Sequence, residues 1–171
     1  MKVLISGDAG SGKTAVIQEL VNRGYTAYST EELPGVNIHI VKATGEIVDR
    51  PPAPVNYSVY SASWDRAKLI DLLESDELVF IADLNSHLKD FYELFDKFIV
   101  LTIDKETQRH RLLNRTSNPY GYGKHPEELK AILEYHDRMQ VSLLQAPGVI
   151  GINATQPLTA VADECIRRLA L

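Results

Sequence analysis

The sequence predicts an α/β fold built on a parallel β-sheet. Short apolar segments of strand-forming residues alternate along the chain with longer segments whose apolar residues recur at helical spacing. Residues 78–82 and 98–103 are almost continuously apolar, as expected of parallel strands that helices cover on both faces. The chain has 171 residues, 44% of them hydrophobic and 24% charged, which is enough for one ordinary globular domain. We therefore expect a single α/β domain over residues 1–171.

Local signals place the elements in order. Gly24 is a typical helix stop, and a Thr44-Gly45 turn predicts a β-hairpin. Ser61 or Ser63 is a candidate N-cap for the helix that follows. The predicted strands of the main sheet are residues 1–6, 25–29, 78–82, 98–103 and 149–152. The predicted helices are residues 15–22, 61–74, 86–95, 105–115, 126–145 and 157–169.

A phosphate-binding motif lies between the first strand and the first helix. It fits the pattern G-x-x-x-x-G-K-S/T, and both of the flanking elements that the pattern requires are predicted. The motif reads Gly7, Asp8, Ala9, Gly10, Ser11, Gly12, Lys13, Thr14. The glycines let backbone N–H groups point at an anion, Lys13 is expected to reach the β- and γ-phosphates, and the Thr14 hydroxyl is a ligand for Mg²⁺. The alternative interpretation is a glycine-rich turn that carries a Lys-Thr pair by chance. We favour the phosphate-binding interpretation and expect the loop to bind ATP with Mg²⁺.

Acidic residues follow two of the predicted strands. Glu31 comes after the second strand and Asp83 after the third. Ligands of open α/β sheets lie outside the carboxyl ends of the strands, so both residues are placed to act on a ligand. We expect Asp83 to hold the water shell of Mg²⁺, although the residue type also suits a helix N-cap. Glu31 is equally consistent with a functional role, a helix start or a solvated loop.

A proline-punctuated insertion, residues 34–66, follows the second strand. A segment of this length between two elements is more often functional than a plain connector. Tyr57, Tyr60 and Trp64 concentrate aromatic surface with polar groups in it. Such a cluster either lines a small-molecule pocket or forms a satellite core.

Two arginines precede a glycine-rich loop. Arg111 and Arg115 lie four residues apart on a predicted helix and therefore share a face. Adjacent guanidinium groups favour an anion between them, and Arg suits bidentate phosphate contacts. The alternative is a solvated basic helix end, which the helix dipole favours. Residues 115–126 contain Lys124 and two glycines and are typical of a closing lid.

Bulk properties narrow the possible partners and compartment. The net charge of −5 and a pI near 5.5 argue against a nucleic-acid-binding surface, and no apolar run approaches the ~18 residues of a membrane span. The single Cys165 cannot form an internal disulfide, which favours a buried residue in a reducing compartment. Because the phosphate-binding motif begins at residue 7, we expect no signal peptide and a cytoplasmic location. We expect a monomer or homodimer that binds a small-molecule acceptor.

These motifs together resemble the small P-loop kinases, a group that includes nucleoside monophosphate kinases, shikimate kinase and gluconate kinase. The resemblance covers residues 1–29 and 77–171. It implies a three-layer α/β/α arrangement with a five-stranded parallel sheet of order 2-3-1-4-5, the P-loop NTPase fold. It also implies transfer of a phosphoryl group from Mg-ATP under a short lid.

The resemblance also implies roles for individual residues. Arg111 and Arg115 match the R-x-x-x-R pair before the lid, in which one Arg packs near the adenine and the other clamps the moving phosphoryl group. Arg138 resembles an Arg on the helix after the lid, and Glu31 stands near the acidic residue that orients the acceptor hydroxyl in shikimate kinase. The loop that holds the adenine base in the family resembles residues Asn153, Ala154, Thr155 and Gln156.

Departures from the family pattern concern the acceptor. Monophosphate kinases usually carry D-G-F-P-R after the third strand, whereas this chain reads Ala82-Asp83-Leu84-Asn85-Ser86 and lacks that Arg. The triple glycine of the shikimate kinase substrate domain is also absent. We expect the insertion to build the acceptor site, with Arg50 and Arg66 as anion anchors and Tyr57 and Trp64 as a ring platform.

These features favour an ATP-dependent kinase whose acceptor is a nucleoside or nucleotide. A shikimate- or gluconate-like polyol is the alternative acceptor. A nucleotide-binding switch or regulatory ATPase that acts on a protein partner is the alternative function, and a bare ATPase is a third.

Overall fold

Eight strands and five α-helices make up the described part of the chain, which in this computed structural model is residues 1–48, 51–52, 55–115 and 122–169. The strands are β1 (Lys2–Ser6), β2 (Thr26–Ser29), β3 (Asn37–Val41), β4 (Ile47–Val48), β5 (Tyr60–Trp64), β6 (Val79–Ala82), β7 (Lys97–Thr102) and β8 (Ile150–Asn153). The helices are α1 (Lys13–Asn22), α2 (Arg66–Leu73), α3 (Lys105–Asn114), α4 (Pro126–Leu143) and α5 (Leu158–Arg168). Two 3₁₀ helices span Thr30–Glu32 and Leu88–Leu94, so a tighter 3₁₀ turn replaces the helix predicted at 86–95.

Five of the strands form a parallel sheet in the spatial order β2-β6-β1-β7-β8. Counted along the chain, these are the second, third, first, fourth and fifth strands of the sheet. The order 2-3-1-4-5 that the family resemblance implied is therefore confirmed.

Helices cover both faces of this sheet. Along β1, Val3 and Ile5 pack in one buried cluster with residues of α1 and α5, whereas Leu4 packs in a second cluster with residues of α2 and α4. This alternation follows from the period of two along a strand, and it explains why the strands are apolar throughout. The three-layer α/β/α arrangement is confirmed.

A second, antiparallel sheet of order β4-β3-β5 lies within the insertion. The hairpin of β3 and β4 agrees with the sequence prediction. The prediction of a helix from residue 61 was wrong, because residues 60–64 form β5 and pair along the length of β3. Ser61 and Ser63 are buried strand residues, and Asp65 caps α2 instead by accepting a hydrogen bond from the Lys68 N–H at 3.1 Å.

Other helix boundaries follow their predicted signals. Asp104 caps α3, since its carboxylate accepts a hydrogen bond from the Thr107 N–H at 2.7 Å. Pro126 occupies the first turn of α4, where its missing N–H costs nothing. Within the described ranges, no helix is long and apolar enough to cross a membrane.

Candidate active site

A cleft of about 1930 Å³ lies at the carboxyl ends of the parallel strands. The phosphate-binding loop, residues 7–14, and α3 line one half of it, and β3 with the segment after β6 lines the other. This is the edge at which open α/β sheets bind ligands. The cleft is also larger than the ~300–1,000 Å³ of typical small-molecule pockets, so it has room for two ligands side by side.

The backbone of the phosphate-binding loop is shaped for an anion. A Cβ on Gly7 would lie 2.8 Å from the Leu101 carbonyl oxygen, and Gly12 has a left-handed φ of 98°, so both positions favour glycine. Helix α1 begins at Lys13, which places its N-terminal N–H groups at the cleft. The Lys13 Nζ donates a hydrogen bond to the Gly7 carbonyl oxygen at 2.7 Å, and Thr14 also lines the cleft. The loop therefore fits a phosphate chain.

Behind this loop, Gln108 connects it to α4. The fully buried Gln108 amide donates to the Asp8 Oδ2 at 2.8 Å and to the Ala9 carbonyl oxygen at 2.9 Å. Because the Gln108 side-chain nitrogen donates both of these hydrogen bonds, the Gln108 Oε1 is the acceptor in the contact with His136. The His136 Nδ1, 2.7 Å from this oxygen, therefore carries a proton and donates the hydrogen bond. No sequence motif singled out Gln108. Its spacing of four residues from the apolar Leu112 places it on the buried face of α3, and a polar residue there was the available signal.

Arg111 joins the phosphate-binding loop to the loop after β8. Its Nη1 donates to the Ser11 carbonyl oxygen at 3.2 Å and its Nη2 to the Ala154 carbonyl oxygen at 2.7 Å. The second loop is held by Asn153, whose Oδ1 accepts from the Thr155 N–H at 3.0 Å and hydroxyl at 2.8 Å. Ala154 and Gln156 line the cleft, so the structure brings Arg111 and the predicted adenine loop together.

Arg115 lies at the end of α3 and also lines the cleft. Its Nη2 donates to the Tyr122 carbonyl oxygen, which ties the helix to the end of the predicted lid. Burial lowers the pKa of the Arg115 guanidinium, while the nearby charges of Glu31 and Glu128 raise it. Residues 116–121 of the predicted lid lie outside the described residues.

Asp83 is buried at the end of β6, with 1% of its surface exposed. Its Oδ2 accepts hydrogen bonds from the Thr30 hydroxyl at 2.7 Å and the Trp64 indole N–H at 2.6 Å, and its Oδ1 accepts from the Leu84 N–H at 2.6 Å. Burial raises the pKa of the Asp83 carboxyl, and Glu31 raises it further, whereas the hydrogen bonds from Thr30 and Leu84 oppose the shift. Asp83 precedes no α-helix, so the N-cap interpretation does not hold.

Oxygen ligands for a divalent cation are present in the cleft. Mg²⁺ prefers oxygen donors and keeps several waters, and Thr14 and Asp83, which carry a hydroxyl and a carboxylate, are both lining residues of this cleft. Oδ1 of Asp83 accepts one hydrogen bond, from the Leu84 N–H, among the residues that the structure describes, and a carboxylate oxygen can accept another from a metal-bound water. The residues therefore fit Mg²⁺. In the described ranges there is no group of three or more His, Cys, Asp or Glu side chains that could hold a metal by themselves.

Two aromatic residues of the insertion occupy different environments. Tyr57 lines the cleft, is 45% exposed and meets the Tyr122 ring edge-on at 5.9 Å. Trp64 is only 2% exposed and packs against Phe91 and Phe95, because it points from β5 into the core beside the main sheet. Trp64 is therefore not a ring platform for a ligand.

The predicted cations around the acceptor are largely directed elsewhere. Arg66 pairs with Glu93 and stacks on the Phe91 ring at 5.7 Å. Arg138 is exposed and lies over the ring of Tyr135 on its own helix, at 5.9 Å. Both side chains are thus engaged outside the cleft lining, contrary to expectation. Lys124 is exposed at the end of the lid, and Arg50 lies outside the described residues.

Three solved structures with the same fold are described as kinases. A deoxyadenosine kinase from M. mycoides with bound dATP is 13% identical, with a TM-score of 0.55 over 100% of both chains. A gluconokinase from Sinorhizobium meliloti 1021 is 16% identical, with a TM-score of 0.57 over 99% of this chain and 91% of that chain. A sugar kinase from Janibacter sp. HTCC2649 is 14% identical, with a TM-score of 0.56 over 99% and 94%. These similarities establish the fold. At the level of the fold, they confirm the resemblance to P-loop small-molecule kinases.

Sequence comparison assigns the family. No curated protein matches the chain by sequence. The family model described as an AAA domain matches residues 3–131, which is more than half of the chain and includes the phosphate-binding loop, Asp83 and both arginines. The chain therefore belongs to the AAA-domain family, with the P-loop NTPase fold that its phosphate-binding loop indicates.

Proposed function

We propose that the protein is an ATP-dependent kinase that moves the γ-phosphoryl group to a small-molecule acceptor. We infer a nucleoside or nucleotide as the acceptor, in preference to a shikimate- or gluconate-like polyol. The observation that carries the proposal is one continuous cleft with two unlike halves. The phosphate-binding loop lines one half, and a polar and aromatic wall from β3 and Tyr57 lines the other.

Positioning and charge neutralisation account for the proposed catalysis. In phosphoryl transfer the protein mainly holds the reactants in line and stabilises charge on the moving group. We infer that Lys13 and the N–H groups at the start of α1 hold the phosphate chain. We also infer that Arg111, which donates to the Ser11 and Ala154 carbonyl oxygens, holds the nucleotide between these two loops. We infer that Arg115, which lines the cleft at the end of α3, contacts the transferred group. When bound, Mg²⁺ neutralises phosphate charge, and Thr14 and Asp83 are its proposed ligands.

An acidic residue beside the acceptor hydroxyl can orient it and take its proton. Glu31 follows β2, lines the cleft and lies close enough to Asp83 to raise the pKa of its carboxyl. We infer that Glu31 orients the acceptor hydroxyl and takes its proton. Lys124 remains a candidate for closing over the phosphates from the lid. Arg66 and Arg138 are not part of the proposal, because their side chains are engaged outside the cleft.

A coupled ADP-release assay with Mg-ATP tests the proposal. The acceptor panel contains nucleosides, nucleoside monophosphates, shikimate, gluconate and other polyols. We expect one acceptor class to raise ADP release well above the intrinsic rate. In Lys13→Ala that stimulated rate should fall by about 100-fold or more while the circular dichroism spectrum stays unchanged.

A flat panel would contradict the proposal. Confirmed ATP binding without any acceptor effect would favour a nucleotide-dependent switch, and full turnover in Lys13→Ala would refute the assigned role of the loop.

A further inference from the structure

A series of hydrogen bonds connects the end of β7 to the phosphate-binding loop through three polar side chains, which we call the buried polar network. Gln140 and His136 lie one turn apart on α4, and Gln108 contacts His136 from α3. Gln108 is 0% exposed and His136 is 3% exposed. Polar groups at this depth need hydrogen-bond partners, so the position of each proton in the network is constrained.

The backbone of Ile103 fixes the orientation of the Gln140 amide. The Ile103 N–H donates to the Gln140 Oε1 at 3.0 Å, and the Ile103 carbonyl oxygen accepts from the Gln140 Nε2 at 3.0 Å. Because a backbone N–H only donates and a carbonyl oxygen only accepts, this pairing allows one orientation of the amide. The second hydrogen of the Gln140 Nε2 is then available to the His136 Nε2, which lies 2.7 Å away.

This contact determines the tautomer of His136. A ring nitrogen that accepts a hydrogen bond carries no proton, so the single proton of the neutral imidazole lies on Nδ1. A proton on Nε2 would instead place two donors 2.7 Å apart. The Asp137 Oδ1 is 3.9 Å from the same nitrogen, which is beyond hydrogen-bond distance, so Gln140 is the hydrogen-bond partner of Nε2.

The other end of the network requires the same tautomer. The Gln108 Nε2 uses its two hydrogens on the Asp8 carboxylate at 2.8 Å and on the Ala9 carbonyl oxygen at 2.9 Å. The Gln108 Oε1 therefore needs a donor, and the Nδ1 proton of His136 supplies it at 2.7 Å. The two ends are set by different parts of the backbone and agree on one arrangement of protons.

This arrangement bears on the binding of an anion by the loop. Asp8 and Ala9 are the second and third residues of the phosphate-binding loop, so Gln108 holds the chain beside the N–H groups that would face a phosphate. If the Gln108 amide were reversed, its oxygen would face two acceptors and the loop would lose both contacts. Donors that are ordered before the ligand arrives bind it more tightly, because the ligand does not have to order them.

We propose that His136 and Gln140 are positioning residues for the nucleotide. His136, neutral and protonated on Nδ1, holds Gln108 in the orientation that orders the phosphate-binding loop, and Gln140 holds His136 in that tautomer. The inference deepens the proposed function and rests on its nucleotide-binding part. Of the described residues that line the cleft, none belongs to the buried polar network, so the network acts through the loop and not by touching ATP or the acceptor.

Nucleotide affinity in His136 variants tests the proposal. The Kd of a non-hydrolysable ATP analogue with Mg²⁺ is measured by calorimetry, at a temperature at which circular dichroism shows every variant folded. We expect His136→Leu to raise the Kd by about tenfold, the equivalent of one lost hydrogen bond. His136→Asn should recover most of the affinity, because its side-chain nitrogen, like Nδ1, is two bonds from Cβ. Leu73→Ala, a buried position on α2 outside the cleft lining, is the control for lost stability and should leave the Kd unchanged.

Two further measurements separate positioning from a general structural role. If His136 acts through Gln108, adding His136→Leu to Gln108→Leu should raise the Kd no further than Gln108→Leu alone. Nitrogen-15 NMR of the wild-type imidazole, recorded without nucleotide, should show a protonated Nδ1 and an unprotonated Nε2. In Gln140→Leu we expect that preference for one tautomer to weaken.

The possible failures are distinguishable. An unchanged Kd in His136→Leu, or an equal rise in Leu73→Ala, would refute the positioning role while leaving the proposed kinase intact. Additive effects of His136→Leu and Gln108→Leu, or a proton on Nε2, would refute the assigned route through Gln108. Wild-type protein that binds no ATP analogue would refute the proposed function and this inference together.

Discussion

The Gln108 side chain holds Asp8 in place within the phosphate-binding loop. The amide nitrogen of Gln108 lies 2.8 Å from Oδ2 of Asp8, and the Asp8 side chain is 7% exposed. Oδ1 of the same carboxylate accepts from the Ala9 N–H at 2.7 Å. Both oxygens of the Asp8 carboxylate therefore accept hydrogen bonds, and one of these bonds connects the loop to α3.

Replacing Gln108 with Leu should remove this hydrogen bond and lower the stability of the protein. The Asp8 carboxylate would lose a buried donor, which we expect to cost about 1–3 kcal/mol of unfolding free energy. Urea unfolding of wild type, Gln108→Leu, Asp8→Asn and the double variant forms a mutant cycle. Strong coupling between the two positions is expected, and simple additivity would show that the contact contributes nothing.

Arg111 should act through both of its hydrogen bonds. Lys cannot reproduce a fork that reaches the Ser11 and Ala154 carbonyl oxygens together. Arg111→Lys is therefore expected to raise the KM for ATP by about tenfold, the effect of roughly one lost hydrogen bond to a charged group. Arg109→Lys, an exposed position on the same helix, is the matched control and should leave the KM unchanged. Equal effects in the two variants would contradict the assigned role.

We expect Trp64 to stabilise the protein through its indole N–H more than through its ring. Trp64→Phe keeps an aromatic ring against Phe91 but removes a donor to Asp83, and we expect a loss of about 1–3 kcal/mol in stability. If Asp83 holds the magnesium shell, ADP release should also require more Mg²⁺. Thr30→Val removes the other side-chain donor to the same oxygen and should shift the Mg²⁺ dependence in the same direction. An unchanged Mg²⁺ dependence in both variants would separate Asp83 from the metal.

Cys165 should make the protein less stable at alkaline pH. Burial raises the pKa of its thiol to about 12, above its ordinary value near 8.5. Between these values the unfolded thiol loses its proton and the folded one keeps it, so the unfolding free energy falls as pH rises, by at most about 1.4 kcal/mol per pH unit. Urea unfolding from pH 8 to 10.5 should show a shallower decline in Cys165→Ala. Rapid alkylation of the native thiol at pH 8 would contradict its burial.

Local signals were sufficient for most of the fold. The apolar strands, the Asp104 cap and Pro126 each depend on neighbours in sequence, and the structure places them as predicted. The same holds for the phosphate-binding loop, whose motif is a pattern of eight consecutive residues. The helix prediction at Ser61 and Ser63 was wrong because a short segment of alternating polar and apolar residues is compatible with either a strand or the capped start of a helix. Pairing with β3, which is distant in sequence, decided for the strand.

Contacts between side chains that are distant in sequence could be identified only from the tertiary structure. The contact of Gln108 with Asp8 spans 100 residues of the chain, and that of Trp64 with Asp83 joins the end of β5 to the residue after β6. The sequence predicted Trp64 as a ring platform and Arg66 as an anion anchor of the acceptor site, yet Trp64 is in the core and Arg66 pairs with Glu93. The sequence by itself determined the α/β frame and its phosphate-binding loop, because periodicity and backbone geometry are local. Only packing decided that Trp64 is buried while Tyr57 lines the cleft, because burial depends on residues that the chain brings together from a distance.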